Sequence, residues 1–234
     1  MVSLFRFFVK TIVLPNDDSF NPSCSAPTPR NTNVTIRFMK EDDIDHVHKL
    51  IYKGFCEKWE FAYNEKAYEY IKFFSVNRYK GEHSKRNDVL VAEFDNKVLG
   101  VCQISVYKPN EKFFTLQLIK HLSNFPLWSM ITTITSSGMV TYLKRRDPDE
   151  ASIELVTVDE KARGLGIGDQ LLTKAHDVCR ERNMNKVSLI VVLSNVYARR
   201  LYERHGYRTL KIHITWKMFL WGTEGCYKME KKLN

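Results

Sequence analysis

Apolar and polar positions alternate along some stretches of the chain and recur every three to four residues along others, and these two periods divide it into elements. VTIRFM, from Val34, reads as a strand. The EDDIDHVHKLIYKGF that follows reads as a helix, with Ile44, Val47, Leu50, Ile51 and Phe55 on one stripe and Asp42 or Asp43 as its cap. A second helix is expected over 65–78. DVLVAEF and KVLGVCQISVY flank Asp95 and Asn96, a pair suited to a two-residue hairpin turn. ASIELVTV is then a strand, 169–182 a helix, KVSLIVVL (186–193) a buried strand, and NVYARRLYERHG (195–206) a short helix closed by Gly206. YRTLKIHIT and CYKMEKKL complete the pattern as two antiparallel strands. Hairpins combined with one strand–helix–strand–helix passage make the fold class α/β with a mixed sheet.

Two stretches stand outside this pattern. Residues 108–150 form a long connection with aromatic and aliphatic residues at helical intervals. Residues 1–33 form an N-terminal extension: MVSLFRFFVKTIVLP is basic, apolar and free of acids up to Asp17, and 16–33 is loop-like in its Pro, Ser and Asn content. The extension lacks the h-region and cleavage site of a signal peptide and is expected to pack on the domain at 34–234. A chain of 234 residues suits one such domain.

Composition narrows the function classes. With 44 % hydrophobic and 27 % charged residues the chain is neither disordered nor collagen-like. Its net charge of +9 favours anionic partners such as a phosphorylated cofactor, while no zinc, helix-turn-helix or RNA-binding signature supports a nucleic-acid role. The five cysteines are scattered, with no CxxC pair, and no HxxxH or HExxH occurs, so no metal is expected and a reducing, cytoplasmic setting is. The longest uncharged run, HLSNFPLWSMITTITSSGMVTYL, is too polar for a membrane span.

The chemistry concentrates where IELVTV hands over to the helix at 169. RGLGIG (163–168) puts Gly164, Gly166 and Gly168 behind Arg163 at a helix N-terminus, where unpaired N–H groups and the helix dipole favour an anion. A P-loop would need Lys followed by Ser or Thr after the glycines. A dinucleotide fingerprint would need GxGxxG and an acid ending the next strand. Neither is present, whereas Arg163, Gly166 and Gly168 fill an R-x-x-G-x-G diphosphate loop. Downstream, Asn195, Ala198, Arg199 and Tyr202 fall at i, i+3, i+4 and i+7, one helix stripe too polar for a core face. They suit the wall of a cofactor cleft, with Asn195 for amide hydrogen bonds, Ala198 for close approach and Arg199 for phosphate.

These residues resemble the cofactor-binding heart of the GNAT N-acetyltransferases, V-x-x-x-x-R-G-x-G-[IV]-G followed by N-x-x-A-x-x-L-Y-x-x-x-G-[FY]. Val158, Arg163, Gly164, Gly166, Ile167, Gly168, Asn195, Ala198, Leu201, Tyr202, Gly206 and Tyr207 all match. The likeness is specific in 154–207 and looser over the rest of 34–234. It implies the GNAT fold, a mixed, mostly antiparallel sheet of about seven strands flanked by helices. It also implies acetyl-CoA as cosubstrate, with its diphosphate on the amides of 163–168. The pantetheine arm would run beside Leu155–Val158, including Val156 and Val158, where the sheet splays.

The same resemblance implies acetyl transfer to a primary amine by direct attack. An alkylamine with a pKa of about 10 is protonated at neutral pH, so a base helps, directly or through water. The tetrahedral oxyanion needs a donor, for which an N–H near Val156 is placed. Tyr202 matches the family's acid for the leaving thiolate. Glu154 is the candidate base: it lies mid-strand and shares a side with Val156 and Val158 if the strand alternates strictly. The acceptor is expected on the side of 52–78 and 108–150, where Tyr52, Phe55, Trp59, Phe61, Tyr63, Phe113, Phe114 and Trp128 offer aromatic walls. A small-molecule amine is the first reading, a protein or peptide acceptor the second, and a non-catalytic acyl-CoA sensor the third. The oligomeric state is open between monomer and homodimer.

Overall fold

The computed structural model of the chain describes residues 9–13, 33–80, 86–106, 127, 147–215 and 223–233. Eight strands form one sheet: β1 (Val9–Val13), β2 (Thr35–Phe38), β3 (Val89–Phe94), β4 (Lys97–Val106), β5 (Glu150–Val158), β6 (Lys186–Val192), β7 (Arg208–Thr215) and β8 (Cys226–Lys232). Their order across it is β1-β7-β8-β6-β5-β4-β3-β2. The β5–β6 pair is parallel and the other six are antiparallel, as a mixed sheet requires. The count exceeds the seven expected because β1, from the N-terminal extension, joins the edge of β7.

Helices α1 (Ile44–Tyr63) and α2 (Ala67–Tyr79) lie on one face, and α3 (Ile167–Glu181) and α4 (Val196–Arg204) on the other. The α1/α2 core gathers Val47, Leu50, Ile51, Tyr70 and Tyr79 over Val89, Val91 and Val101. The α3/α4 core gathers Leu171, Leu172, Ala175, Val178 and Tyr202 over Leu90, Ala92, Cys102, Ile104 and Leu189. Alternate residues of β3 and β4 thus enter opposite cores, as period-2 strands buried on both faces must.

Several local expectations hold for local reasons. Asp95 and Asn96 take φ of 48° and 58°, the left-handed pair of a tight hairpin turn. Gly206 ends α4's turn at φ 84°. At the start of α1, Asp43 accepts from the Lys40 N–H at 2.7 Å and is held by Arg37, which also meets Glu93. Helix α1 runs past the expected end at Phe55, which is kinked at φ −137°, ψ 19°, and a single 3₁₀ turn (Asn64–Lys66) leads into α2. Next to the kink, a Cβ on Gly54 would sit 2.3 Å from Thr157 Oγ1, so glycine is what lets α1 lie against β5.

Candidate functional site: a splayed sheet beside a glycine-bounded helix start

Two irregularities in β5 define the site. The parallel register with β6 runs from Glu150↔Lys186 to Ile153↔Leu189 and stops. Beyond it β5 continues only with β4, to Val158↔Gly100, while β6 continues with β8, to Val192↔Cys226. Among the described residues the edge of Leu155–Val158 that faces β6 therefore has no strand partner, and its N–H and C=O groups are available to an extended ligand.

The second irregularity is a register shift against β4, from Gln103↔Leu155 to Ile104↔Ile153. Glu154 is the extra residue of this bulge, which breaks the alternation between Ile153 and Leu155. Ala151 and Ile153 face the α3 core, and so do Val156 and Val158, whereas Leu155 packs into the α1/α2 core. The phase flips at Glu154, which is half-buried.

The glycine loop occupies the end of this gap. Asp159 accepts from the Lys161 N–H at 3.0 Å and starts a 3₁₀ turn over Glu160–Ala162. Arg163, Gly164 and Leu165 are exposed, and Gly164 and Gly166 have φ of 80° and 79°, where a side chain costs roughly 1 kcal/mol or more. Gly166 is the N-cap of α3 and provides no side-chain acceptor, so the first-turn N–H groups from Ile167 onward are presented outward. No atom lies within 4 Å of where a Gly164 Cβ would stand. The Arg163 side chain makes no hydrogen bond or ion pair with the described residues.

Helix α4 forms the other wall. Along the expected stripe Asn195 is exposed, Ala198 and Arg199 are half-buried and Tyr202 is 7 % exposed, so the stripe descends from solvent into the core. Asn195 is the N-cap, its Oδ1 accepting from the Ala198 N–H at 3.0 Å. Arg199 is already engaged: it donates to Glu203 at 2.7 Å and to the Tyr227 hydroxyl at 3.0 Å, and its guanidinium lies 4.5 Å over the Tyr227 ring. It would have to leave these partners to reach a phosphate.

Tyr202 has a different character. Burial pushes its pKa up, so the phenol stays protonated across physiological pH. Its ring meets Tyr207 edge-on at 5.8 Å, and its hydroxyl makes no hydrogen bond with the described residues. A buried hydroxyl without a partner calls for an explanation, and an incoming ligand atom supplies one.

A polar set that sequence reasoning missed ties the two walls together. Asp169, in the first turn of α3, accepts from Arg204 at 3.2 Å and from His205 at 3.1 Å. His205 lies 5.8 Å from His176 ring to ring, and His176 Nε2 bonds the Tyr207 hydroxyl at 2.9 Å. Gly168 sits close under Leu201, where a Cβ would come within 3.3 Å. The only sequence signal was that the HGY run beside the matched Tyr202 carries a titratable residue.

The aromatic acceptor wall is documented in part. Tyr52 is half-buried and donates to Glu60 at 2.7 Å, and Tyr68 bonds His48 at 2.8 Å. The side chains of Trp59, Phe61 and Tyr63, and the segment with Phe113, Phe114 and Trp128, lie outside the described residues. The described residues contain no group of three His, Cys, Asp or Glu able to hold a metal, and no helix among them is long and apolar enough to cross a membrane.

The site is thus a mixed sheet that splays beside a glycine-bounded helix start. Residues 126–207 match the model of the Acetyltransferase (GNAT) family. YxbD of Bacillus subtilis, an uncharacterised protein, is 34 % identical over 77 residues, covering 33 % of this chain and 46 % of the relative. Mycothiol acetyltransferase of Beutenbergia cavernae is 38 % identical over 72 residues, or 31 % of this chain and 24 % of the relative. The chain thus spans less than half the length of these two relatives. The PaiA N-acetyltransferase of Thermoplasma acidophilum, crystallised with coenzyme A, shares the fold at TM-score 0.52 and 15 % identity, over 86 % of this chain and 99 % of that one. Over residues 126–207, which include the glycine loop and α4, the chain is similar to the Acetyltransferase (GNAT) family.

Proposed function

We propose that this chain is an acetyl-CoA-dependent N-acetyltransferase that acetylates a primary amine on a small molecule. The observation that carries the reading is the Tyr202 hydroxyl, buried and without a hydrogen bond among the described residues, in the core that Val156 and Val158 of β5 also enter. The match of residues 126–207 to the Acetyltransferase (GNAT) model and the CoA complex of the PaiA neighbour support the choice of cosubstrate.

The residues present fit acetyl-CoA. The N–H groups of Gly166, Ile167 and Gly168 would receive the diphosphate, with Arg163 adding charge and the open side of Gly164 admitting close approach. Leu155–Val158, with Val156 and Val158 named in particular, would pair with the pantetheine amides along the free edge. Asn195 and Arg199 would line the α4 side. Bound there, acetyl-CoA supplies an activated acyl carbon and a thiolate leaving group.

The chain's own side chains would then manage protons and charge. Glu154, in the bulge, would take a proton from the acceptor ammonium, directly or through water. A backbone N–H near Val156 would donate to the acyl oxygen as it gains charge. Tyr202 would donate to the departing sulfur. A phenol is slightly less acidic than a thiol in water, and burial widens that gap, so a hydrogen bond rather than full transfer is its contribution.

The test is release of CoA thiol from acetyl-CoA against amines, amino acids, aminoglycosides, polyamines and short peptides, with a no-acceptor blank. Turnover on one small-molecule class is the expected result. Turnover on peptides alone replaces the acceptor reading with a protein substrate, and CoA binding by calorimetry with silence across the panel replaces the enzyme with a sensor.

A further inference from the structure

The diphosphate cradle belongs to α3 and the candidate acid to α4, two helices separated in sequence by β6 and on the same face of the sheet. A flexible pantetheine arm joins the two points that the ligand touches. The spacing of the two helices therefore decides whether the sulfur meets Tyr202, and something in the fold must fix it.

Apolar contact alone does this poorly here. Leu201 rests on Gly168, a residue with no side chain to interlock. What adds direction is Asp169, one residue past the last glycine of the loop. Its Oδ1 accepts from Arg204 Nη2 at 3.2 Å and from His205 Nε2 at 3.1 Å, two donors at the C-terminal end of α4. The Asp169 carboxylate is about one-fifth exposed, the His205 side chain 8 % and that of Arg204 39 %, so the His205 contact is shielded from water while the Arg204 contact is partly open to it. From His205 the polar contacts continue inward: His176 lies against His205, bonds Tyr207, and Tyr207 packs edge-on against Tyr202 and donates its backbone N–H to the Tyr202 carbonyl at 3.0 Å.

There is also an electrostatic reason for the arrangement. A carboxylate in the first turn of α3 would by itself oppose a diphosphate bound there. Two cationic or donor groups from α4 on one oxygen offset that charge and aim it away from the loop.

Resting on the acetyltransferase reading above, we propose that Asp169 is a positioning residue that holds the Tyr202 helix at working distance from the diphosphate cradle by gripping Arg204 and His205. It touches neither substrate and acts through α4.

The experiment compares wild type, Asp169→Asn, Tyr202→Phe and the double variant for kcat and KM on the best acceptor, for CoA affinity by calorimetry and for thermal unfolding. The carboxamide keeps the size and one acceptor of the side chain but loses its charge. Asp169→Asn is expected to lower kcat about tenfold, since displacements near 1 Å at a reacting centre cost up to about a hundredfold, with CoA affinity changed less than about threefold. Because Asp169 acts through Tyr202, the double variant is expected to match Tyr202→Phe alone. Losses that multiply in the double variant, a loss confined to CoA affinity, or an unchanged kcat each overturn the proposal. A loss of Tm with kcat of the folded protein intact overturns it too, by making Asp169 a stabilising residue only. If the wild type releases no thiol with any acceptor, the acetyltransferase reading fails first, and CoA affinity reports that separately.

Discussion

Tyr202 and Tyr207 are five residues apart, both buried, both pushed to higher pKa by burial, and their rings touch. They differ in one hydrogen bond. The Tyr207 hydroxyl meets His176 at 2.9 Å, and the Tyr202 hydroxyl meets no described residue. The same substitution should therefore have opposite consequences at the two sites. Tyr202→Phe removes a group that does nothing for the resting fold, so Tm should stay level or rise slightly while kcat falls by about a hundredfold, the low end for a lost proton donor. Tyr207→Phe strands a buried imidazole nitrogen and should cost about 1–2 kcal/mol in stability. Urea unfolding and steady-state rates on the two variants check this, and equal effects on stability would remove the distinction. Glu154→Gln should lower kcat and move the acid limb of the kcat profile. An unchanged profile takes Glu154 out of the mechanism.

At the scale of elements, what was legible in the sequence was what is local. Asp95–Asn96 announced its hairpin because left-handed φ at two successive positions selects those residues. The glycines of 163–168 announced the loop for the same kind of reason, and the α4 stripe could be counted because a helix has a fixed period. The splay between β5 and β6 was implied by the resemblance and not by the residues themselves: it is a relation between strands, and Leu155–Val158 looks equally strand-like paired or unpaired. The bulge at Glu154 could not be counted either, because a period of two has no place for an extra residue. β1 was hidden because its partner β7 lies some 200 residues away, and its apolar, basic composition suits a targeting segment equally well. Asp169's tie to α4 spans 35 and 36 residues and left no pattern at all. The approach of α1 to β5 is a testable case of the same kind. Gly54→Ala places a methyl 2.3 Å from Thr157 Oγ1, and since Thr is short and β-branched the helix must move. A loss of about 1–3 kcal/mol is expected. Removing the obstructing atoms in Gly54→Ala/Thr157→Ala should restore part of it. Thermal melting of the four proteins of this cycle decides, and a Gly54→Ala protein as stable as wild type would mean that α1 has room to spare.

Across the whole molecule, acid is the condition to which this fold is most exposed. Burial lowers the pKa of His48, His176, His205 and His213, His176 to about 3. Each is therefore neutral in the native state at pH values where the unfolded chain, with histidines near 6.5, already binds a proton. The unfolded state then carries more protons, so stability is full above about pH 6.5 and falls as pH drops below it, down to the native pKa values. For His176 alone the slope is roughly 1.4 kcal/mol per pH unit, about 5 kcal/mol over the whole window. Asp43 and Asp147, lowered by Arg37 and Lys186, extend the same trend below about pH 4, while Glu230, raised by burial, opposes it. Protonation also adds to a net charge of +9, which strengthens self-repulsion in the compact state. Urea midpoints at pH 8, 7, 6 and 5 should accordingly be level between the first two and fall steeply between the last two, with protons taken up on unfolding at pH 5.5. Replacing His176 by Gln, whose amide can still bond the Tyr207 hydroxyl without titrating, should flatten the fall by close to one proton's slope. A midpoint that holds from pH 7 to 5 would mean that the buried histidines reach solvent and protonate in place, and that the core around Tyr207 is looser than its packing indicates.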